Sequence, residues 1–364
     1  MTRYEVVMLT LLTVVFALTS SRMAEATSPG DAAAQALIWL KTQQNADGGL
    51  GSGFGPGSAI GPTADAILAI TSSGQDASTW TAGGASPIDY LRTQAGAGKI
   101  AQPGEIAKTI LALVATGQDP RAFGGRDLIA DLNRNFDALD GTYSSSTFDQ
   151  ALVILALSNA GELVPDAAVT ALLNAQTVEG GWAFTGETMA GAADSNTTSL
   201  AVQALVATGR KDDTGRAMDY FRRTQNSDAG WTYQVPSAFG ADTDANSTAL
   251  GIQAILAIGD LASNWAIGGS DPIGALLALQ NSDGSFSFQP AFSGPNALAT
   301  LQAIPALYGD TLVRVNVAPA SSAVAPISAL LPEAGGALDA LPIVALGATL
   351  IAAGVLARRR VRDL

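Results

Sequence analysis

From residue 31 to residue 310 the chain alternates two kinds of apolar segment. One kind is apolar at nearly every position: residues 66–70, 109–113, 153–157, 204–207, 254–258 and 303–307. The other is amphipathic and ends near an amide residue, at Gln44, Gln94, Asn135, Gln176, Gln225 and Gln280. In the fifth such segment Tyr220 and Phe221 share a face, while Arg216, Asp219, Arg222 and Arg223 can reach water. Glycine-rich turns separate the two kinds, and the pair recurs at a spacing of about 40–55 residues, the signature of stacked helical hairpins. A helix that is apolar all round must be buried, so the second helices form an inner layer inside a ring of first helices. An open solenoid would need polar capping repeats at its ends, and neither end has one. The pattern therefore predicts an all-α fold: an α/α toroid of six hairpins in two concentric layers over residues 27–310.

Composition narrows what such a ring can do. Of 364 residues, 48% are hydrophobic and only 14% charged, enough for a large core. The net charge of −13 with no basic stripe excludes nucleic acid as a partner. There is no cysteine and no histidine. That removes disulfides, thiol nucleophiles and the commonest general base and metal ligand, so no metal site and no cofactor is expected.

Both ends read as addresses. Arg3, an apolar run over residues 6–18 and Ala24-Glu25-Ala26 describe a secretory signal peptide over residues 1–26, cut after Ala26. Residues 311–330, rich in Ala, Pro, Ser and Val, read as a linker. Leu331-Pro332-Glu333-Ala334-Gly335, an apolar stretch over residues 341–357 and four arginines among residues 358–362 follow. The order resembles the sortase sorting signal of Gram-positive wall proteins, with Ala334 in place of the usual Thr. The resemblance implies a sortase and the cell wall as partners. A retained membrane helix over residues 331–364 is the alternative. Either way the arginines stay inside and the body faces out.

A second resemblance lies in the turns. Arg216 through Gln225-Asn226-Ser227-Asp228-Ala229-Gly230-Trp231, and Gln176 through Gly180-Gly181-Trp182, are similar to the Gln-Trp repeat of squalene and oxidosqualene cyclases. Weaker copies follow in register, with Phe286 at the Trp position of repeat six. This resemblance to the squalene cyclase and prenyltransferase toroid implies that Gln and Trp hold neighbouring hairpins together and do no chemistry. It also implies where an acid would sit, since class II cyclases protonate an alkene with the middle Asp of Asp-x-Asp-Asp-Thr-Ala. Here the matching stretch is Asp242-Thr243-Asp244-Ala245-Asn246-Ser247-Thr248-Ala249, and alignment on Thr248-Ala249 puts Asn246, an amide, in the donor slot. Repeat four carries a similar Asp194-Ser195-Asn196-Thr197-Thr198. A feature used twice fits helix capping, and a capped helix start can also face a ligand. Zinc-dependent prenyl transfer is excluded by the missing Cys and His.

The inner helices carry almost no aromatic residue, which leaves no cation-stabilising wall, but they do carry Asp65, Lys108, Gln203, Gln253 and Gln302. The aromatics gather in the turns, Trp182, Trp231 and Tyr233 among them. Asp194, Asn196, Asp242, Asp244, Asn246, Gln203 and Gln253 together with those three aromatics are the candidate binding residues. The sequence favours a surface module that binds an unidentified small molecule or surface partner without catalysis. The alternatives are a divergent class II cyclase using Asp242 or Asp244 as acid, a cobalamin-type carrier and a purely structural wall protein.

Overall fold

The computed structural model describes residues 28–53, 55, 57–238 and 240–314. The chain divides into two units, Met1–Val317 and Ala318–Leu364, and the described residues belong to the first. Ala26, Leu331, Pro332, Ala334 and Gly335, which carry the export and anchoring readings, lie outside the described residues.

The hairpins are as expected. The outer helices are α1 (Pro29–Thr42), α3 (Pro87–Gly96), α5 (Leu128–Asn133), α7 (Asp166–Asn174), α9 (Gly215–Thr224) and α11 (Pro272–Leu277). The inner helices are α2 (Ile60–Ser72), α4 (Pro103–Ala115), α6 (Thr147–Asn159), α8 (Ser195–Ala207), α10 (Ala245–Ala257) and α12 (Ala297–Leu307). No strand forms among the described residues, and isolated bridges lace the turns instead. Each inner helix packs against the next, and α12 returns to α1 and α2, so the ring closes. Alanines such as Ala66, Ala112, Ala151, Ala201, Ala254 and Ala303 are fully buried and let the inner helices approach closely. Among the described residues no helix is long and apolar enough to cross a membrane.

Helix starts are fixed locally. Ser28, Ser86 and Asp271 cap outer helices whose next residue is Pro29, Pro87 and Pro272, a start that loses no intrahelical hydrogen bond. Ser146, Asp194, Asp244 and Asn296 cap four inner helices, each accepting a backbone N–H three residues on.

The turn amides bolt one hairpin to the next. Gln225 donates to its own turn at Ala229 O (2.9 Å) and across to Trp265 O (2.7 Å). Gln44 does the same to Gly48 O (2.9 Å) and Trp80 O (3.1 Å). Gln280 reaches Ala32 O (2.8 Å) in α1 and so ties the last repeat to the first. Arg216 binds back to Gln176 Oε1 (2.7 Å) and to the Thr177 and Val178 carbonyls (both 3.0 Å). Gln94 differs: it lies inside α3, where the other amides lie beyond their helices.

Four residues beyond the Gln, the backbone turns left-handed, at Gly48, Gly180, Gly284 and, in repeat five, Ala229 (φ 74°). A β-carbon at Gly180 would stand 2.4 Å from Arg216 O, so glycine is required there. Ala229 carries its β-carbon at the cost of a left-handed conformation that L-residues avoid by roughly 1–2 kcal/mol. Ala229→Gly is therefore expected to stabilise the protein by about 0.5–1 kcal/mol, the gain reduced by the freer unfolded chain. Denaturant titration reads this as a rise in midpoint at unchanged slope, and a fall would show that the alanine is not strained.

The segment read as a linker from residue 311 starts as structure. Leu312 N donates to Gln203 Oε1 (2.8 Å), Asn159 Nδ2 donates to Leu312 O (2.6 Å), and Arg314 N donates to Asn159 Oδ1 (3.1 Å). Residues 311–314 thus lie across the ends of α6 and α8, and Leu312 borders the lumen there.

Candidate functional site

The lumen opens at the N-terminal ends of the inner helices into a cavity of about 820 Å³, within the roughly 300–1,000 Å³ typical of small-molecule sites. Its wall becomes orderly once the helix starts are aligned. The second residues of α6, α8, α10 and α12, namely Phe148, Asn196, Asn246 and Leu298, line the mouth. The same position in α2 and α4 is Gly61 and Gly104. The sixth residues are Asp65, Lys108, Leu152, Leu200, Leu250 and Gln302, and all six line a smaller compartment of about 50 Å³ next to the cavity. Lys108, Phe148, Leu250 and Gln302 line both spaces, and Leu312 borders the smaller.

The long turns supply the rim. Each crosses to the start of the preceding inner helix: Phe184 O accepts from Thr147 N (2.9 Å), Tyr233 O from Ser195 N (2.7 Å) and Phe288 O from Ala245 N (2.9 Å). Two residues before those aromatics, the N–H groups of Trp182, Trp231 and Phe286 donate to Thr198, Thr248 and Thr300 Oγ1 at 2.9, 3.0 and 2.9 Å. The threonine of the acid-like motif therefore fixes a turn. Tyr233, Phe288 and Phe292 join Phe148 around the cavity. The expectation that no aromatic wall exists is corrected: Phe148 comes from inner helix α6, and the other three come from neighbouring turns folded over helix ends, which the inner-helix sequences cannot show.

The candidate residues separate into groups. Asp244, Asn246, Asn196 and Tyr233 meet at the cavity. Gln253 borders the small compartment. Gln203 is fully buried and holds Leu312. Trp182 and Trp231 are fully buried beneath the turns, their indole N–H groups bonded to Leu172 O (2.6 Å) and Phe221 O (2.8 Å), away from the cavity wall. Asp242 is exposed and lends its carbonyl to Gln289 (3.0 Å). Asp194 is fully buried behind Tyr233, outside the cavity lining. Phe148, Phe292 and Asn296 went unnoticed in the sequence, although Phe148 shares the helix position of Asn196 and Asn246. In the acidic turns Asp47, Asp228 and Asp283 bind their own backbones, and among the described residues no three acidic side chains are placed to share a metal ion.

Asp194 and Asp244 are twins with different surroundings. Each caps its helix, accepting Thr197 N and Ser247 N at 2.7 Å. Burial pushes both carboxyls up to about 6, against backbone hydrogen bonds that lower them. Over Asp194 stands Tyr233, whose phenol is pushed up to about 12 by burial and by that carboxylate. Phe288 holds the equivalent turn position one repeat on, its carbonyl accepting from Ala245 N, and has no hydroxyl to give. Asp244 instead accepts the Ser247 hydroxyl on Oδ2 (2.9 Å) and lines the cavity. Oδ1 accepts the Ser247 N–H, which has no lone pair to offer in return, whereas the hydroxyl on Oδ2 can reverse its role, so Oδ2 is the better-placed oxygen for a proton. Asn246 donates to Gln302 Oε1 (2.8 Å), and Lys108 donates to Asp65 at 2.7 Å, both side chains largely buried.

This fold, an all-α toroid of six hairpins, has solved counterparts. A type II terpene cyclase from Scytonema in complex with geranylgeranyl dihydroxybenzoate matches with a TM-score of 0.55 at 13% identity, covering 77% of this chain and 97% of that one. A ligand-free structure of a variant of the same cyclase gives 0.56 at 13% identity over 79% and 99%. A glycosidase in complex with glucose gives 0.54 at 13% identity over 80% and 99%. No family profile and no curated protein matches the sequence. At these identities the likeness establishes the fold.

Proposed function

We propose that the ring is an acid-dependent enzyme of the type II cyclase kind, which folds an apolar, polyene-like chain in its lumen and protonates it from Asp244. The observation that carries this is a buried carboxyl in the wall of a largely hydrocarbon cavity, its pKa pushed up to about 6 by that burial. That combination replaces the sequence-based preference for a module without catalysis. The step is an isomerisation. Asp244 gives the Oδ2 proton to an epoxide oxygen or an electron-rich double bond, and a C–O or π bond breaks to leave a cationic carbon. A second double bond closes on that carbon to form a ring, and the last cation returns a proton to the Asp244 carboxylate or to water. A carboxylic acid of this strength protonates a strained epoxide more readily than a plain alkene, so an epoxidised chain is the favoured substrate. Phe148, Tyr233, Phe288 and Phe292 line the same cavity, and a ring face turned to a cation formed there would attract it. The fold shared with a terpene cyclase adds weight to this reading. The fold shared with a glycosidase adds less, because sugar hydrolysis needs two opposed carboxyls and the other carboxyl at the lumen, Asp65, is tied to Lys108.

The test is incubation of the full chain with C15–C20 polyprenyl compounds and their terminal epoxides, followed by product analysis. A cyclised isomer supports the reading. A bound chain released unchanged from every substrate would make the ring a carrier instead.

The export signal and C-terminal anchor read from the sequence are part of the same proposal, which has the ring facing the outside of the cell. Wall digestion is expected to release the protein, through sortase attachment. Release by detergent alone would mean a membrane helix.

A further inference from the structure

The geometry points to a head-group site for an alcohol at the deep end of the lumen: the chain that enters is held by a terminal hydroxyl between Lys108 and Gln253. This rests on the reading of the cavity as a chamber for an apolar chain, and names the substrate class within it.

The sixth residues of the inner helices are the starting point. Going round the ring, Leu152, Leu200 and Leu250 form one half of a belt, and Gln302, Asp65 and Lys108 form the other. The polar three stand on α12, α2 and α4, which are consecutive around the closed ring. Ring packing alone would be served by leucine at all six positions, so the polar half needs another reason. Lys108 spends one of its three ammonium donors on Asp65. Gln253, one turn further along α10, is 3% exposed. Its Oε1 is buried with no hydrogen-bond partner among the described residues, and the residue borders the same 50 Å³ compartment as Lys108. One cation with donors to spare and one carbonyl oxygen without a donor therefore face a space the size of a small polar group.

A hydroxyl satisfies both at once, because it accepts from Lys108 and donates to Gln253. A carboxylate or phosphate would satisfy Lys108 but bring its charge against Asp65 and the Gln253 oxygen. A hydrocarbon end would satisfy neither. With the head seated there, the apolar body fills the larger cavity. The Asp244 carboxyl then stands six residues nearer the mouth than the belt, roughly 9 Å along the helix axis, and meets the chain away from its head.

The experiment is a binding titration of the full chain with a C20 polyprenyl alcohol, its methyl ether and the corresponding acid. The alcohol is expected to bind at least about tenfold more tightly than the ether, since a site built to hydrogen-bond a hydroxyl discriminates strongly against its loss. Lys108→Met with Asp65→Leu, which removes the pair together, should weaken the alcohol and the ether alike, since either oxygen can accept from Lys108. Gln253→Leu should reduce the preference on its own, and it stands in should the double variant not fold. Equal affinity of alcohol and ether would overturn the head-group site and leave the chamber intact. An acid that binds more tightly than the alcohol would overturn the choice of alcohol. Failure of all three to bind would overturn the chamber and the head-group site together.

Discussion

Asp244→Asn is expected to lower turnover by about a hundredfold to ten-thousandfold, the range for removal of a general acid, and at the same time to make the protein more stable at pH 7. The two effects come from one fact. Asparagine caps a helix as well as aspartate does, and its Oδ1 can still accept the Ser247 N–H. The amide cannot give up a proton, so the chemistry stops. It also carries no charge, so the burial that pushes the Asp244 carboxyl up to about 6 no longer opposes folding at neutral pH. The sign follows from the raised carboxyl. Its stabilising contribution is complete below the unfolded-chain value near 4 and is lost as pH rises through about 6. Wild type should therefore lose stability across that window, and Asp244→Asn should lose less. Wild-type turnover should fall roughly tenfold per pH unit above about 6 as the acid form disappears. Asp194→Asn provides the contrast. Its carboxyl has the same upward shift but lies outside the cavity wall, so the same gain in stability should come with turnover intact. If both variants lose activity alike, or neither does, Asp244 is not the proton donor.

The contrast between these two aspartates marks the limit of what could be read from the sequence. The hairpins were legible because an all-apolar helix and an amphipathic one differ in composition, and because Gln225, Gln176 and Gln280 mark the same turn each time. The caps were legible for the same reason, since Asp194 and Asp244 occupy matching positions before Leu200 and Leu250. The lumen was not legible. A helix that is apolar all round gives no sign of which face looks inward. The two lining positions, second and sixth in each helix, emerge only when six helix starts are aligned at their caps, and Phe148 then falls in line with Asn196 and Asn246. Nor could local pattern show that Tyr233 meets Asp194 while Phe288 takes the equivalent turn position at the start of the Asp244 helix. Each aromatic belongs to the next repeat and reaches back over a helix some forty residues earlier, through a backbone hydrogen bond.

Trp231→Ala carries the largest expected loss of stability. Trp231 is fully buried, stacks edge-on against Phe221 at 5.5 Å and Trp265 at 6.0 Å, and donates to Phe221 O at 2.8 Å. Its ring presses on the inner layer so closely that a β-carbon on Gly251 would stand 2.9 Å from it. Removal leaves a hole between α9, α10 and the turn that carries Trp265, and leaves Phe221 O with only the Thr224 hydroxyl at 3.5 Å, at a cost of about 3–5 kcal/mol. The effect should not stay local. In an open stack of repeats each unit answers only to its neighbours and a weakened one can melt by itself, whereas here Gln225 ties the turn forward to Trp265 and Gln280 ties repeat six to Ala32 in α1. One unfolding transition, shifted down as a whole, is the expected result, and two separate transitions would argue against a closed ring. Ligand affinity per folded molecule should match wild type, because Trp231 lies beneath the turn rather than in the cavity wall. A specific loss of binding at unchanged stability would return Trp231 to the binding site and remove it from the frame that holds Tyr233 and Asp244 in place.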